Sequence, residues 1–537
     1  MREPLSFDVL IVGSGPSGVH AASEATSRGL KVGLVDIGYS DDRYTSLIPQ
    51  EPFSNIRSVD PNQREYFVGE ADEALRNLQR AGAHLTPPRQ YMLRNMDDLF
   101  PINSDTFLPL QATSAGGLGV SWGANVFTME TEELRKIGLP PVEMSKYYDH
   151  VAAEIGVSGR RDDDVAPRIA NFSPLQPPLQ LDSNAQALMR NYAASREKLN
   201  RRGFVMGQSV LAVLSNALGE RAPNSHADMD FYSDAGRSVY RPQFTLESLK
   251  RLKNFTHLDG HLAESFEDLP EYGVKLRGRN VHSHENWELS ARRLILAAGA
   301  INSGRLALNS FRERKARLPI LCNPNVWIAA INLSMLGRPA RDARHSLAQL
   351  TALMRTANGE SVVAQFYSYR SLLHYRLLPG LPLPPRLGLF FLRLIDTALT
   401  CINVHYADKL APSKWIELTA DGTRPSLSAH YEVPHTQAEE LRRDERTAVR
   451  SLLLLRCVPL AISRPSHGAS VHYAGTLPFS DRDEPFTCDE NGRLHGTRSV
   501  YVGDGSSWKY LPAKGLTFTL MANARRVAKK AALSLCR

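Results

Sequence analysis

The most informative absences in this 537-residue sequence are long apolar runs and paired cysteines. No run reaches the roughly 20 apolar residues needed to cross a bilayer, so no membrane-spanning helix is predicted. The five cysteines are scattered without a C-x-x-C pair, which indicates reduced thiols and argues against a disulfide framework or a metal site. The N-terminus shows no signal-peptide pattern. These features predict a cytoplasmic protein.

Internal repeats and low-complexity tracts are also missing, and the composition is that of an ordinary globular protein. The length suffices for two domains, or for one large domain with an embedded lobe. The formal net charge of +8 fits solubility alone, an anionic substrate or an anionic membrane surface. Because the basic residues are dispersed and no nucleic-acid motif is visible, nucleic-acid binding is not expected.

The strongest motif lies at the N-terminus. An apolar strand at residues 9–12 precedes a G-x-G-x-x-G turn, a helix of small residues and a second strand that ends on Asp36. Gly13 permits the tight turn, Gly15 lets the backbone approach a pyrophosphate, and Gly18 lets the helix pack close to the strand. Asp36 can accept hydrogen bonds from an adenosine ribose. The stretch predicts a dinucleotide site, with FAD favoured over NAD, whose phosphates lie on Gly13, Gly15, Pro16, Ser17 and Gly18.

Three later segments carry further candidate residues. Residues 114–127 place several glycines beside Trp122, which lets a backbone lie against a flat or charged ligand, although a tightly packed turn would look similar. Residues 291–300 indicate a buried parallel strand with a glycine turn, and a helix is predicted over 303–310. Residues 500–528 predict a strand, a turn and a final helix.

The segment from about residue 311 to 470 has a different character. Short alternating stretches such as 361–367 and 415–418 predict an antiparallel sheet, and residues 437–455 predict a helix that covers it. Residues 374–395 are unusually apolar, with interspersed arginines. One interpretation is a segment that is buried in the core or covers a hairpin. The other is a patch that contacts a membrane surface or binds a lipid substrate.

The motifs, and the order in which they follow one another, resemble those of the glucose–methanol–choline (GMC) flavoprotein oxidoreductases over nearly the whole chain. Besides the N-terminal fingerprint, the resemblance is carried by residues 116–123, by G-A-x-x-S at 299–303, by H-x-x-G-T at 472–476 and by D-G-S at 504–506. It implies FAD, bound without a covalent anchor. The further cofactor-binding residues that it implies are Gly116, Gly117, Trp122, Gly123, Leu262, Ala298, Gly299, Asp504, Gly505 and Thr517.

The resemblance also implies an α/β fold, in which an FAD-binding Rossmann-like domain is interleaved with an α+β substrate lobe built on an antiparallel sheet. The FAD-binding parts are predicted at residues 1–160, 241–310 and 471–537. The substrate-binding domain is predicted at 311–470, with an excursion of the same lobe at 161–240.

The reaction that this resemblance implies is oxidation of an alcohol to a carbonyl, with hydride transfer to flavin N5. An alcohol proton is too weakly acidic to leave unaided, so a base must lie within hydrogen-bonding distance. A neutral histidine suits this role, and His472 holds the position that matches the family. We therefore expect His472 to be catalytic; the alternative is a histidine satisfied within the core.

Two positions depart from the family pattern. Gly515 stands where the family has a second His or Asn, and glycine has no side chain to hydrogen-bond the substrate. Either Lys514 or another residue of the lobe takes over this hydrogen bond, or His472 works alone. Lys514 could also stabilise a reduced flavin near N1, or be an ordinary solvated lysine. Gly119 replaces a serine, which puts one expected hydrogen bond in doubt.

The substrate is predicted from the turn at residues 504–508, which is similar to that of sugar-oxidising members and favours a sugar, glycoside or polyol hydroxyl. The electron acceptor is left open. One alternative is a lipid-linked or hydrophobic alcohol oxidised at a membrane surface, favoured by the basic charge and by residues 374–395. Another is a non-redox lyase that keeps the fold and the flavin.

Overall fold

The computed structural model describes residues 7–70, 85–269, 273–311, 316–338, 342–368, 382–419 and 426–535. Part of the predicted apolar segment, residues 374–381, lies outside these ranges. The helices are α1 (Pro16–Ser27), α2 (Phe53–Val59), α3 (Gln63–Phe67), α4 (Met96–Leu99), α5 (Thr131–Ile137), α6 (Pro141–Ile155), α7 (Ala166–Ile169), α8 (Ser183–Asn200), α9 (Pro242–Lys250), α10 (Ala300–Ser310), α11 (Pro385–Ile395), α12 (His435–Leu454) and α13 (Thr517–Leu533).

Within these described ranges, the strands form two large sheets and three small ones. They are β1 (Phe7–Val12), β2 (Val32–Val35), β3 (Ile102–Asn103), β4 (Phe204–Gln208), β5 (Phe255–Leu258), β6 (His261–Leu269), β7 (Gly273–Asn280), β8 (Asn286–Leu296), β9 (Arg317–Pro319), β10 (Leu321–Cys322), β11 (Asn325–Asn332), β12 (Leu350–Arg355), β13 (Ser361–Ser368), β14 (Leu399–His405), β15 (Asp408–Lys409), β16 (Lys414–Thr419), β17 (Ser426–Tyr431), β18 (Cys457–Ser463), β19 (Tyr473–Ala474), β20 (Val500–Val502) and β21 (Tyr510–Leu511). Together with the helices, they confirm the predicted α/β class.

The first large sheet gathers strands from the start, the middle and the end of the chain. Its order is β5-β2-β1-β8-β7-β6, and β20 pairs with β8. The strands β5, β2, β1, β8 and β20 run parallel, whereas β6 and β7 form an antiparallel extension of β8. Because the carboxyl ends of parallel strands meet at one edge, the turns after β1, β8 and β20 are brought together there.

The second large sheet is antiparallel throughout, with the order β18-β11-β14-β13-β12-β4. One face packs on α8 and α12 through apolar side chains such as Leu188 and Leu452. Strand β4 comes from the predicted excursion at residues 161–240, and the other strands come from 311–470. The predicted domain boundaries stay predictions.

The two ends of the chain pack against each other beside the first sheet. Helix α1 lies along α13, and Arg525 of α13 is 3.5 Å from the Glu24 carboxylate of α1. Gly18 permits the close packing of α1, because a Cβ at this position would lie 1.8 Å from the carbonyl oxygen of Gly13. The fingerprint glycine therefore has a steric role that no other residue can fill.

The predicted boundaries of several elements need small corrections. The helix predicted over 303–310 begins earlier, at Ala300, and the final helix extends to Leu533 instead of residue 528. In the part of the chain that the structure describes, no helix has the length and apolar character needed to cross a bilayer.

Candidate active site

One cleft extends from the turn after β1 to the face of the antiparallel sheet opposite α8 and α12. Most of the predicted site residues line it, although they come from distant parts of the sequence. These residues are Gly13, Gly15, Pro16, Ser17, Gly117, Trp122, Gly123, Ala298, Gly299, His472, Asp504, Gly505 and Thr517. The cleft therefore joins a phosphate-binding type of turn to a histidine and a polar wall.

Four predicted site residues lie behind the lining. Gly18 packs beneath the glycine turn, and the Gly116 N–H donates to the Ser14 hydroxyl over 2.8 Å. Asp36 also contacts Ser14, whereas Leu262 is buried in the apolar cluster that contains Ile37. The turn after β1 is therefore supported from behind by Gly18, Gly116 and Asp36. Leu262 lies further away, in an apolar cluster next to the end of β2.

The end of β2 carries a buried polar pair. The Asp36 carboxylate accepts a hydrogen bond from the Ser14 hydroxyl, and burial raises the pKa of Asp36 to about 7. His257 Nε2 lies 4.0 Å from Asp36 Oδ2 and, among the described residues, has no hydrogen-bond partner. Burial lowers the pKa of His257 to about 4. A buried carboxyl with a raised pKa thus lies beside an imidazole nitrogen that lacks a hydrogen-bond partner among the described residues. Hydroxyl groups of a ligand could hydrogen-bond to both groups, so the site favours a ligand that carries them.

The second glycine segment lies directly on the first. A Cβ at Gly117 would be 3.1 Å from the Gly15 Cα, so the two backbones approach closely. At Gly119, a Cβ would lie 2.6 Å from Pro242 Cγ and 2.8 Å from Pro16 Cγ. There is no room for the serine of the family pattern at this position, and the hydrogen bond it would make is absent for a steric reason.

Asp504 joins the turns that follow β8 and β20. Its Oδ2 accepts hydrogen bonds from the Gly299 N–H at 2.8 Å and from the Ser303 hydroxyl at 2.6 Å. Its Oδ1 accepts from the N–H and the hydroxyl of Ser506. Burial raises the pKa of this carboxyl, and these four donors oppose the rise. The Asp504 side chain thus joins the two turns at the cleft, which both Asp504 and Gly505 line.

His472 is positioned by a short strand pair. Strand β19 begins at the next residue and pairs with β10, which places His472 beside Asn323. The distance from His472 Nδ1 to Asn323 Oδ1 is 3.0 Å. Asn323 Nδ2 donates to the carbonyl oxygens of Tyr406 and Pro512 at 2.7 and 2.9 Å, so the amide oxygen must face the imidazole.

This arrangement defines the state of the imidazole. Because an amide oxygen only accepts, Nδ1 of His472 carries the proton and Nε2 carries the lone pair. Burial lowers the pKa of His472 to about 4, so the ring is neutral at pH 7. His472 can therefore accept a proton at Nε2.

A buried ion pair fixes the residue that precedes Asn323. The Cys322 N–H donates to Asp408 Oδ2 over 2.9 Å, and Asp408 pairs with Lys414. Tyr431 donates to the same Asp408 oxygen over 2.7 Å. Both charged side chains are fully buried, so loss of either partner would leave an uncompensated charge in the interior. This network holds the backbone that presents the Asn323 amide.

The wall of the cleft opposite the glycine turns consists of side chains from three adjacent strands. In the sheet register, Asn403 of β14 lies between Trp327 of β11 and Gln365 of β13, and His405 lies beside Asn325. Residues directly opposite each other share a face, so these side chains form one surface. Asn325 Nδ2 donates to Asn403 Oδ1 over 3.3 Å. With Tyr367, they line the same cleft as His472.

Sequence reasoning missed this wall. Its only signal is an isolated polar residue within an otherwise apolar strand, as at Gln365 and Asn403. Isolated polar residues of this kind also occur on the solvent-facing side of a sheet. The pairing of the strands, which the sequence does not display, decides between the two interpretations.

All three interpretations of Lys514 are wrong. Its side chain is fully buried, and Nζ bonds Glu133 Oε2 at 2.7 Å and the carbonyl oxygens of Arg168 and Thr128 at 2.8 and 3.3 Å. It does not line the cleft, so it is neither a solvated lysine nor a group directed at a cofactor. Lys514 instead anchors the segment before α13 to α5.

Comparison with known proteins agrees with this geometry. A family model described as GMC oxidoreductase matches residues 434–524, which include His472 and the Asp504 turn. This match supports membership of the chain in the GMC oxidoreductase family and a general role as an oxidoreductase. GMC oxidoreductases generally bind FAD. A search of curated proteins finds no match.

The hydrogen bond between Asn323 and His472 sets a testable tautomer of the imidazole. In ¹⁵N–¹H NMR spectra, His472 is expected to carry its proton on Nδ1 and to show constant shifts from pH 6 to 8, because its pKa is about 4. Asn323→Leu removes the acceptor and is expected to give mixed tautomers. The control Asn325→Leu removes a neighbouring amide and should leave the tautomer unchanged. A proton on Nε2 in the native protein would contradict the assignment.

Proposed function

We propose that this chain catalyses the FAD-dependent oxidation of an alcohol to a carbonyl. The observation that carries the proposal is the neutral imidazole of His472, which lines the same cleft as the glycine turns after β1 and β8. The flavin, when bound, supplies the two-electron acceptor that alcohol oxidation requires. The protein supplies the phosphate-binding turn, the proton acceptor and the substrate wall.

The residues of the crevice fit FAD. The N-terminus of α1 directs free N–H groups and the positive end of the helix dipole at the space beside Gly15, where a Cβ would meet no protein atom. The bare His257 nitrogen beside Asp36 suits the hydroxyl groups of a ribose. We propose that the cofactor is held without a covalent bond, by these contacts and by the glycines of residues 116–123.

His472 has the role of general base. Its Nε2 lone pair accepts the hydroxyl proton of an alcohol held at a hydrogen-bond distance of about 3 Å. The Asn323 oxygen keeps the other proton on Nδ1 and stabilises the imidazolium that forms. Because burial lowers the pKa of His472 to about 4, a substrate oxygen and the bound cofactor must stabilise the protonated form.

The polar wall favours a polyhydroxylated substrate. The amides of Asn325, Gln365 and Asn403 offer both donors and acceptors, and the rings of Trp327 and Tyr367 can cover the apolar face of a sugar. Each amide that a substrate leaves unmatched would cost binding energy, which selects for ligands with several hydroxyls. We therefore propose a sugar, glycoside or polyol as the substrate.

The His472→Ala variant tests the reaction. Anaerobic mixing of the FAD-loaded native protein with a panel of sugars, polyols and simple alcohols is expected to bleach the flavin absorbance. The variant should retain FAD but be reduced at least ~10²-fold more slowly, because a general base contributes about that much. The control His467→Ala changes a histidine outside the cleft and should react normally.

Two results would contradict this proposal. Equal reduction of His472→Ala and the native protein would remove the role of the histidine. A flavin that no alcohol reduces, while the protein still cleaves a substrate, would favour the lyase.

A second candidate is oxidation of a hydrophobic or lipid-linked alcohol at a membrane. It is favoured by α11, where the side chains of Leu387, Phe390 and Phe391 are about half exposed. These residues belong to the apolar segment 374–395, and exposed aromatic side chains of this kind are typical of interfacial helices. The positive net charge would add attraction to anionic lipid.

Vesicle sedimentation tests the second candidate. If α11 contacts lipid, the protein is expected to sediment with phosphatidylserine-containing vesicles, and Phe390→Glu with Phe391→Glu should abolish this, because buried charge is costly in the interface. The matched control places the same charges elsewhere on the surface, at Leu252 and Val142. Native protein that stays in the supernatant would eliminate the membrane candidate.

A further inference from the structure

The position that holds a second hydrogen-bonding side chain in the family pattern is a glycine in this chain, and a larger residue there would be crowded. Gly515 lines the cleft, but a Cβ there would lie 3.2 Å and 3.4 Å from ring atoms of Phe127. Phe127 is itself buried, so it cannot move aside into solvent. The neighbouring Lys514 is held by Glu133 behind the cleft. A group that orients the substrate hydroxyl must therefore come from another element.

We infer that His405 is this group, and that it supplies the active site with a second imidazole from the antiparallel sheet. His405 is the last residue of β14 and lines the cleft. Its ring stacks on that of His472, with a centroid distance of 5.2 Å and an angle of 26° between the planes. The inference rests on the proposed alcohol oxidation and names a residue that contacts the substrate hydroxyl.

The position of His405 is rigid. Its backbone is paired on both sides, with Asn325 of β11 and with Val363 of β13, and its side chain is buried. A ring held by two strand partners and by a stacked neighbour loses little entropy when it binds a ligand. This rigidity is what a substrate-orienting group requires.

The two imidazoles have different roles, because two positive charges on rings with a centroid distance of 5.2 Å would repel each other. Nε2 of His472 would take the hydroxyl proton of the alcohol as the C=O bond forms. A bound flavin would supply the acceptor for the hydride, and so for the two electrons, that leave the same carbon. His405 stays neutral, keeps its own proton and hydrogen-bonds the reacting oxygen.

Two variants separate hydrogen bonding from packing. His405→Phe keeps a flat ring against His472 but removes both nitrogens, and His405→Asn removes the ring but keeps a donor and an acceptor. Anaerobic stopped-flow reduction of the FAD-loaded protein, over a range of concentrations of the best alcohol in the panel, gives the limiting rate and the half-saturating concentration. The control His430→Asn changes a partly exposed histidine that lies outside the cleft.

The expected result is a limiting rate for His405→Phe that is ~10- to 100-fold below the native rate, since a hydrogen bond to a charge-bearing atom is worth about that factor. His405→Asn should recover most of it, and both variants should keep the flavin spectrum. A native rate in His405→Phe, or a slower rate in His405→Asn than in His405→Phe, would overturn the inference.

Failure of the proposed function is distinguishable from failure of this inference. If no alcohol in the panel reduces the native protein, the oxidation itself is wrong, and the role of His405 falls with it. If the native protein is reduced and His405→Phe matches it, only the second imidazole is wrong. If His405→Phe does not retain FAD, His405→Leu, which is smaller and also lacks nitrogens, takes its place in the comparison with His405→Asn.

Discussion

The hydrogen bond between Asn323 and His472 is the contact on which the chemistry of the cleft depends. Two backbone carbonyls orient the Asn323 amide, and that orientation places the imidazole proton on Nδ1 and the lone pair on Nε2. The buried pair of Asp408 and Lys414 then fixes the strand that carries Asn323. A weakly basic ring in an interior site thus obtains one defined tautomer from a direct hydrogen bond to a neutral amide.

The rest of the fold brings this imidazole to the glycine turn of β1. Strands β1, β8 and β20 lie side by side in one parallel array, so their carboxyl-terminal turns meet. The Asp504 carboxylate joins two of these turns through four hydrogen bonds. The first and last helices pack together behind them. Segments separated by about 460 residues therefore act on a single ligand space, because the sheet determines where each segment ends.

Features encoded within a few consecutive residues could be predicted from the sequence. The fingerprint around Gly15, the turn at Asp504 and the segment containing His472 carry their geometry locally, and they meet in the cleft as the sequence indicates. Features that depend on distant partners could not be predicted. Lys514 is buried because Glu133 faces it, and Gly119 is a glycine because Pro242 lies against it. The wall containing Asn403 and His405 exists only once three strands have paired.

The central claim is that both ends of the chain form one flavin site with His472 facing the substrate. A crystal structure of the purified protein saturated with FAD tests this most directly. We expect density for the adenosine beside Asp36 and His257, for the pyrophosphate at Gly15, and for the isoalloxazine ring in the part of the cleft lined by His472 and His405. A flavin ring located away from His472, or a cleft that stays empty in saturating FAD, would contradict a shared flavin site.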